Sequence, residues 1–264
     1  MDAINNRAQR VTAAISTASA RTGVDFTYLI NQARIESGMN PDARAKTSSA
    51  TGLYQFTRQT WLATVKASGA DHGLSWAADA IARDANGRYS VANPDMRAAI
   101  LDLRQQPEAA SAMAAEFASD NADVLTQRLG RAPESVDLYL AHFLGAAGAS
   151  RFLVAHDANP EAAAAPLMPK SAAANHNIFY RRDGSARSLG EIRSHFAAKI
   201  NAPGAPQFTP NTTPARAFPL PRFAAHSPNE PRRAVALASM VAMPSRLSLD
   251  FARSTYQRLS GIGA

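Results

Sequence analysis

The chain of 264 residues contains no cysteine, which excludes disulfides and thiolate-held metals outright. Its six histidines fall at positions 72, 142, 156, 176, 195 and 226. They make no His-x-x-x-His pair, so no metal site and no cofactor is expected. No run approaches the ~18 apolar residues of a membrane-spanning helix, and no transmembrane segment is expected. The first ten residues, Met1 to Arg10, lack the charged-then-apolar layout of a secretory signal. Work outside the cytoplasm would then call for non-classical export or delivery on a phage particle.

Aromatic residues are scarce, and positive charge is unevenly spread. The net charge is +7, and residues 201–264 hold seven arginines against only Glu230 and Asp250. Such a basic segment can be drawn to nucleic acid, anionic lipid or an acidic bacterial wall. No zinc-finger, RNP-like or helix-turn-helix signal accompanies it, and few aromatics interleave with the arginines. Nucleic acid is therefore not the expected partner.

What remains is helical. The length suffices for one full core with appendages, and the first 200 residues carry apolar residues at helical spacing with no sheet pattern. A first helix is expected near Ile4 to Ala20, ahead of Gly23. A second runs from an Asp25 cap to a Gly38 stop. Thr57 caps a third, carrying Trp61, Leu62 and Val65, and Ser75 starts a short one through Trp76. Both tryptophans are expected in the core. Pro94, Pro107 and Pro133 each open a further helix, and Gly130 ends the longest. About eight helices around one apolar core make an all-α domain. Residues 158–175 read as a breaker, residues 177–184 as a short extended piece and turn, and Ser188-x-x-Glu191 as a capping box opening a last helix. Nine prolines in residues 201–264 predict an extended, disordered basic tail, with short helices near 233–243 and 249–259 as the alternative. The expected division is 1–157, a helical extension 158–200 packing on it, and the linker or tail 201–264.

One stretch carries chemistry. In Asp25-Phe-Thr-Tyr-Leu-Ile-Asn-Gln-Ala-Arg-Ile-Glu36 the residues Leu29, Ala33 and Glu36 share a helix face that the apolar spacing marks as buried. Glu36 then turns a carboxyl toward apolar surroundings, where desolvation disfavours the charged form. A general acid working near neutral pH needs that property. After a polar loop comes Gly52-Leu53-Tyr54-Gln55-Phe56.

Together, Glu36-Ser37 and Gly52-Leu53-Tyr54-Gln55-Phe56 resemble the first two motifs of the soluble lytic transglycosylase (SLT) family, whose fold is lysozyme-like. Tyr54 stands where the family usually carries Met. The family's third motif, Ala-Tyr-Asn-x-Gly, is approached by Ala141-His142-Phe143-Leu144-Gly145. His142 replaces the tyrosine and Phe143 the asparagine, so the chain is divergent there. The resemblance spans roughly residues 20–155.

It implies a peptidoglycan lytic transglycosylase. Glu36 would protonate the oxygen between N-acetylmuramic acid and N-acetylglucosamine, then take the proton of the muramic C6 hydroxyl as a 1,6-anhydro ring closes. Ser37 would sit beside the sugar's amide groups, or merely cap its helix. Gln55 would hydrogen-bond a sugar, or satisfy its own turn. Tyr54 would pack a pyranose face, with Ser48 and Ser49 lining the same loop. His142 would hold the carboxyl in place of the family's tyrosine, or be a buried packing histidine. Tyr139, one turn earlier, is a substitute for that tyrosine. The partners implied are peptidoglycan glycan strands and, through the tail, a secretion, flagellar or phage assembly. The site of action is the periplasm or cell wall. Two rivals stay open: a muramidase that cuts the same bond with water, and a non-enzymatic assembly protein on a degenerate lysozyme fold.

Overall fold

The computed structural model describes residues 2–201, with side chains from residue 6 onward. The tail and its two alternative helices lie outside the described residues, Asn201 excepted. Among the described residues the architecture is all-α: twelve α-helices and one two-stranded hairpin.

The first four helices are α1 (Asp2–Thr22), α2 (Phe26–Ser37), α3 (Arg58–Ser68) and α4 (Ser75–Ala80). Local chemistry sets their ends. Asp25 Oδ1 accepts the Tyr28 amide at 2.7 Å, and Gly38, at φ 61°, turns the chain out of α2. Thr57 caps α3 through the Thr60 amide. Strands β1 (Ala82–Arg83) and β2 (Tyr89–Ser90) then pair antiparallel, Ala82 opposite Ser90. Two-residue strands leave no alternation to read in the sequence.

Helix α5 (Pro94–Asp102) and helix α6 (Pro107–Leu129) both carry proline in their first turn, where the missing N–H costs nothing. Helix α6 runs through the middle of the molecule, packed by α1, α3, α7 (Ser135–Leu144) and α8 (Ala146–Ala158). Ala110, Ala112, Ala114, Ala115 and Ala118 are all buried on it, and such small side chains let several helices approach one axis. Helix α7 begins at Ser135 rather than at Pro133, because Asp137 Oδ2 accepts the Glu134 amide at 3.0 Å and makes Glu134 the cap.

The breaker region contains two short helices, α9 (Ala164–Leu167) and α10 (Pro169–Ala174), and residues expected to be extended form the single turn α11 (His176–Phe179). The capping box of Ser188 and Glu191 opens α12 (Leu189–Ile200). Helix α12 lies against α2, α7 and α8. Phe196 packs on Tyr139 and Phe143, with ring centroids 5.7 and 4.9 Å apart. Arg193 donates to the buried Asp137, which also accepts from Arg131, and Asn31 Nδ2 donates to the Ile200 carbonyl at 2.8 Å. One apolar cluster runs from Val11 to Ile200.

The two tryptophans part company. Trp61 is fully buried, its indole N–H on the Ile100 carbonyl at 2.7 Å. Trp76 is 43% exposed, against expectation. A helix of six residues buries one narrow face, and Ala77 and Ala78 occupy it.

Candidate active site

Helix α2 delivers Glu36 to the interior from its last turn. Leu29, Ala33 and Glu36 are each 0% exposed. Two residues of α7 reach the carboxyl from across the core: the Tyr139 hydroxyl and His142 Nε2 each stand 3.4 Å from Glu36 Oε1. The separation is long for a hydrogen bond. The His142 ring is set by its neighbours. It stacks on Tyr139 with 6.0 Å between centroids and 14° between planes, and meets Phe117 of α6 edge-on at 6.2 Å. Gln32, one turn before Glu36 on α2, places its amide nitrogen 3.1 Å from His142 Nδ1. Tyr28 completes the group. Its phenol is pushed well above its ordinary value, first by burial and then by the charges of Glu36 and Tyr54.

The turn at 52–56 is organised differently. Gly52 has φ 85°, and a Cβ built there would lie 1.8 Å from the Arg104 carbonyl oxygen. Only glycine fits this approach. Gln55 is fully buried in the left-handed region at φ 50°, and its amide nitrogen donates to the Gly52 carbonyl at 2.7 Å and the Ala43 carbonyl at 3.0 Å. Tyr54 is 1% exposed, so its ring offers no face to solvent. Burial pushes its phenol well above the ordinary value and the Ser111 hydroxyl pulls the other way, yet neither oxygen finds a partner in hydrogen-bonding geometry. Arg104 holds the turn from beneath. Its guanidinium donates to the Ser49, Phe56 and Leu101 carbonyls, and burial, with Arg58 and then Arg44 adding to it, lowers its pKa to about 10.

Ser37 is half-buried, its hydroxyl donating back to the Ala33 carbonyl at 3.0 Å. Ser49 is exposed and accepts the Arg58 amide at 3.2 Å. Ser48 accepts the Ala50 amide at 3.2 Å. The structure thus gathers Glu36, Tyr139 and His142 around one oxygen, while Gln55, Ser48 and Ser49 bond to the backbone of their own loop and its neighbour. An open depression of about 620 Å³ between α8 and α12, lined by His156, Arg187, Glu191 and His195 among others, contains none of these residues.

Sequence reasoning passed over Gln32, Tyr28 and Arg104. For the first two a signal existed, since Tyr28, Gln32 and Glu36 are spaced i, i+4, i+8 on one helix face. Nothing local marks Arg104, which works on carbonyls 48 and 55 residues away. Among the described residues no group of three His, Asp or Glu is arranged to hold a metal ion, and no helix is long and apolar enough to cross a membrane.

Residues 13–80 match the family model described as the transglycosylase SLT domain. The matched span takes in α2 with Glu36, the turn at 52–56 and α3, and ends before α7.

Proposed function

We propose that this all-α chain, whose residues 13–80 match the transglycosylase SLT domain, is a lytic transglycosylase cutting the N-acetylmuramic acid–N-acetylglucosamine bond of peptidoglycan. The observation that carries this reading is the seat of Glu36: a carboxyl without exposed surface at the end of a buried helix face, met on one oxygen by Tyr139 and His142.

The chemistry asked of such a group is a proton transfer in each direction. The Glu36 carboxyl donates its proton to the glycosidic oxygen, and the N-acetylglucosamine end leaves with a new hydroxyl. The resulting carboxylate takes the proton of the muramic C6 hydroxyl. That oxygen closes on C1 and completes the 1,6-anhydro ring, with no water consumed. Glycoside cleavage more often employs two carboxyl groups. The acid nearest in sequence to the third motif is Asp137, and it is committed to Arg131 and Arg193, which favours the route needing one. Tyr139 and His142 hold the carboxylate through donor hydrogens, the task the family's tyrosine performs.

Ser37, half-buried, and Ser49, exposed, are assigned to the rim that meets the glycan. Tyr54 and Gln55 are assigned to shaping that rim from below. Action on peptidoglycan places the work in the periplasm or cell wall, and the basic tail is assigned to docking on the secretion, flagellar or phage assembly that brings the chain there.

Mass spectrometry of products released from purified peptidoglycan tests the reading. Anhydro-muropeptides from wild type, and none from Glu36→Gln, are expected. Reducing muropeptides would replace it with a muramidase. Absence of any Glu36-dependent release would replace it with the assembly-protein reading.

A further inference from the structure

Two side chains meet the Glu36 carboxyl, and they meet the same oxygen. A tyrosine hydroxyl can turn to donate. An imidazole nitrogen donates only if it carries the hydrogen, and which nitrogen does so is decided by what the other one faces. In His142 the other nitrogen, Nδ1, faces the Gln32 amide nitrogen at 3.1 Å. An amide NH₂ is a donor and never an acceptor. Nδ1 is then the bare nitrogen and the hydrogen sits on Nε2, which stands 3.4 Å from Glu36 Oε1.

This direction carries a cost on Gln32. The side chain is buried at 3% exposure, and its own carbonyl oxygen is buried with no hydrogen-bond partner. Buried polar atoms are seldom left in that state. The amide is turned so that its nitrogen serves His142, although its oxygen is left unmet. The ring cannot escape the arrangement easily, being stacked on Tyr139 and edged by Phe117.

We infer that Gln32 is a positioning residue: it sets the tautomer of His142, and through it fixes Oε1 as the anchored oxygen of Glu36 and Oε2 as the one that transfers the proton. The assignment of Oε2 rests on the acid–base reading of Glu36, whereas the tautomer does not. Gln32 touches no reacting atom and acts only through the imidazole. It also accounts for the divergent third motif, since a histidine can replace a hydroxyl donor only where something dictates which nitrogen donates.

The test uses the full chain with ¹⁵N-labelled histidine, the His142 signals being identified by their absence from His142→Gln. At a pH where the ring is neutral, wild type is expected to show the Nε2–H form. The volume-matched Gln32→Met is expected to show a mixture of forms, and Gln32→Glu, which can accept from Nδ1–H, the reverse form or the imidazolium. Circular dichroism checks that each variant is folded. An Nδ1–H form in wild type, or an unchanged tautomer in folded Gln32→Met, would overturn the inference. General acid–base groups contribute about 10²–10⁴-fold to rate, and a residue one step removed is expected to cost less. Gln32→Met should lower kcat about tenfold with KM little changed, and Gln32→Glu should displace the pH profile of kcat. Unaltered kcat and pH profile would overturn the catalytic half. The predicted tautomer together with no Glu36-dependent release from wild type would remove the transglycosylase reading and leave the tautomer-setting role of Gln32 standing.

Discussion

The two halves of the site look equally conspicuous in sequence and are built on opposite principles. On the α2–α7 side, polar atoms from distant parts of the chain point at one another: Glu36 is met by Tyr139 and His142, more than one hundred residues on. On the turn side, Ser48, Ser49 and Gln55 bond to the backbone around them. The difference separates side chains turned toward one another from side chains turned to the backbone around them. A motif is a string, and its letters need not share a task. The two sides are nonetheless in contact through rings: Phe56 of the turn meets Phe117 at 6.3 Å, which in turn edges His142.

Substitutions can break this contrast. The largest effect belongs to Glu36→Gln, which keeps the volume and removes the proton. Release of anhydro-muropeptides should fall about a thousandfold, with the melting temperature little changed. A variant that keeps its activity would place the chemistry elsewhere. Next comes Asp137→Asn, which leaves two arginines without their shared buried carboxylate. A loss of about 3 kcal/mol in denaturant unfolding is expected. Desolvation raises the Asp137 pKa, but the Arg131 and Arg193 contacts and the Glu134 amide outweigh it, and the net direction is down. Stability from this carboxylate is therefore complete above its unfolded value near 3.9 and lost as pH falls through its lower folded one. The Asn variant should not lose that increment on acidification.

On the turn side, Gly52→Ala meets the Arg104 carbonyl and an unfavourable φ together, and should cost about 3 kcal/mol in thermal unfolding. Gln55→Met removes the bonds to the Gly52 and Ala43 carbonyls and should cost about 2 kcal/mol. Its activity should fall only as its folded fraction falls. A loss of kcat in fully folded protein would make Gln55 a sugar contact after all. The smallest effect is expected of Tyr54→Phe, which deletes a buried hydroxyl that has no partner. Stability should change by less than about 1 kcal/mol, and KM for the glycan should hold.

Ends of helices were legible in the sequence because they are local chemistry: Asp25, Thr57, Pro94, Pro107, Gly130 and the Ser188–Glu191 pair sit where the chain turns. The hairpin at 82–90 was not, being too short to alternate. Nor was the exposure of Trp76, since a helix of six residues does not declare which face it buries. The burial of Glu36 could be read from helical spacing with Leu29 and Ala33. The convergence on one carboxyl oxygen could not, because α2 and α7 come together only through the core. Arg104 and Gln32 escaped notice for the same reason. Nothing local marks Arg104, whose partner carbonyls include two 48 and 55 residues away, and helical spacing marked the face of Gln32 but not its partner, 110 residues on.

Glu36 has no surface open to solvent. A glycan oxygen can reach it only after the shell of Tyr28, Gln32, Tyr139 and His142 has parted somewhere. On the transglycosylase reading each cut would begin with an opening, and the rate would depend on how often the shell yields as well as on proton transfer. Such a molecule idles by default. On that reading the packing around Glu36 would set the tempo of cleavage without touching the chemistry at all.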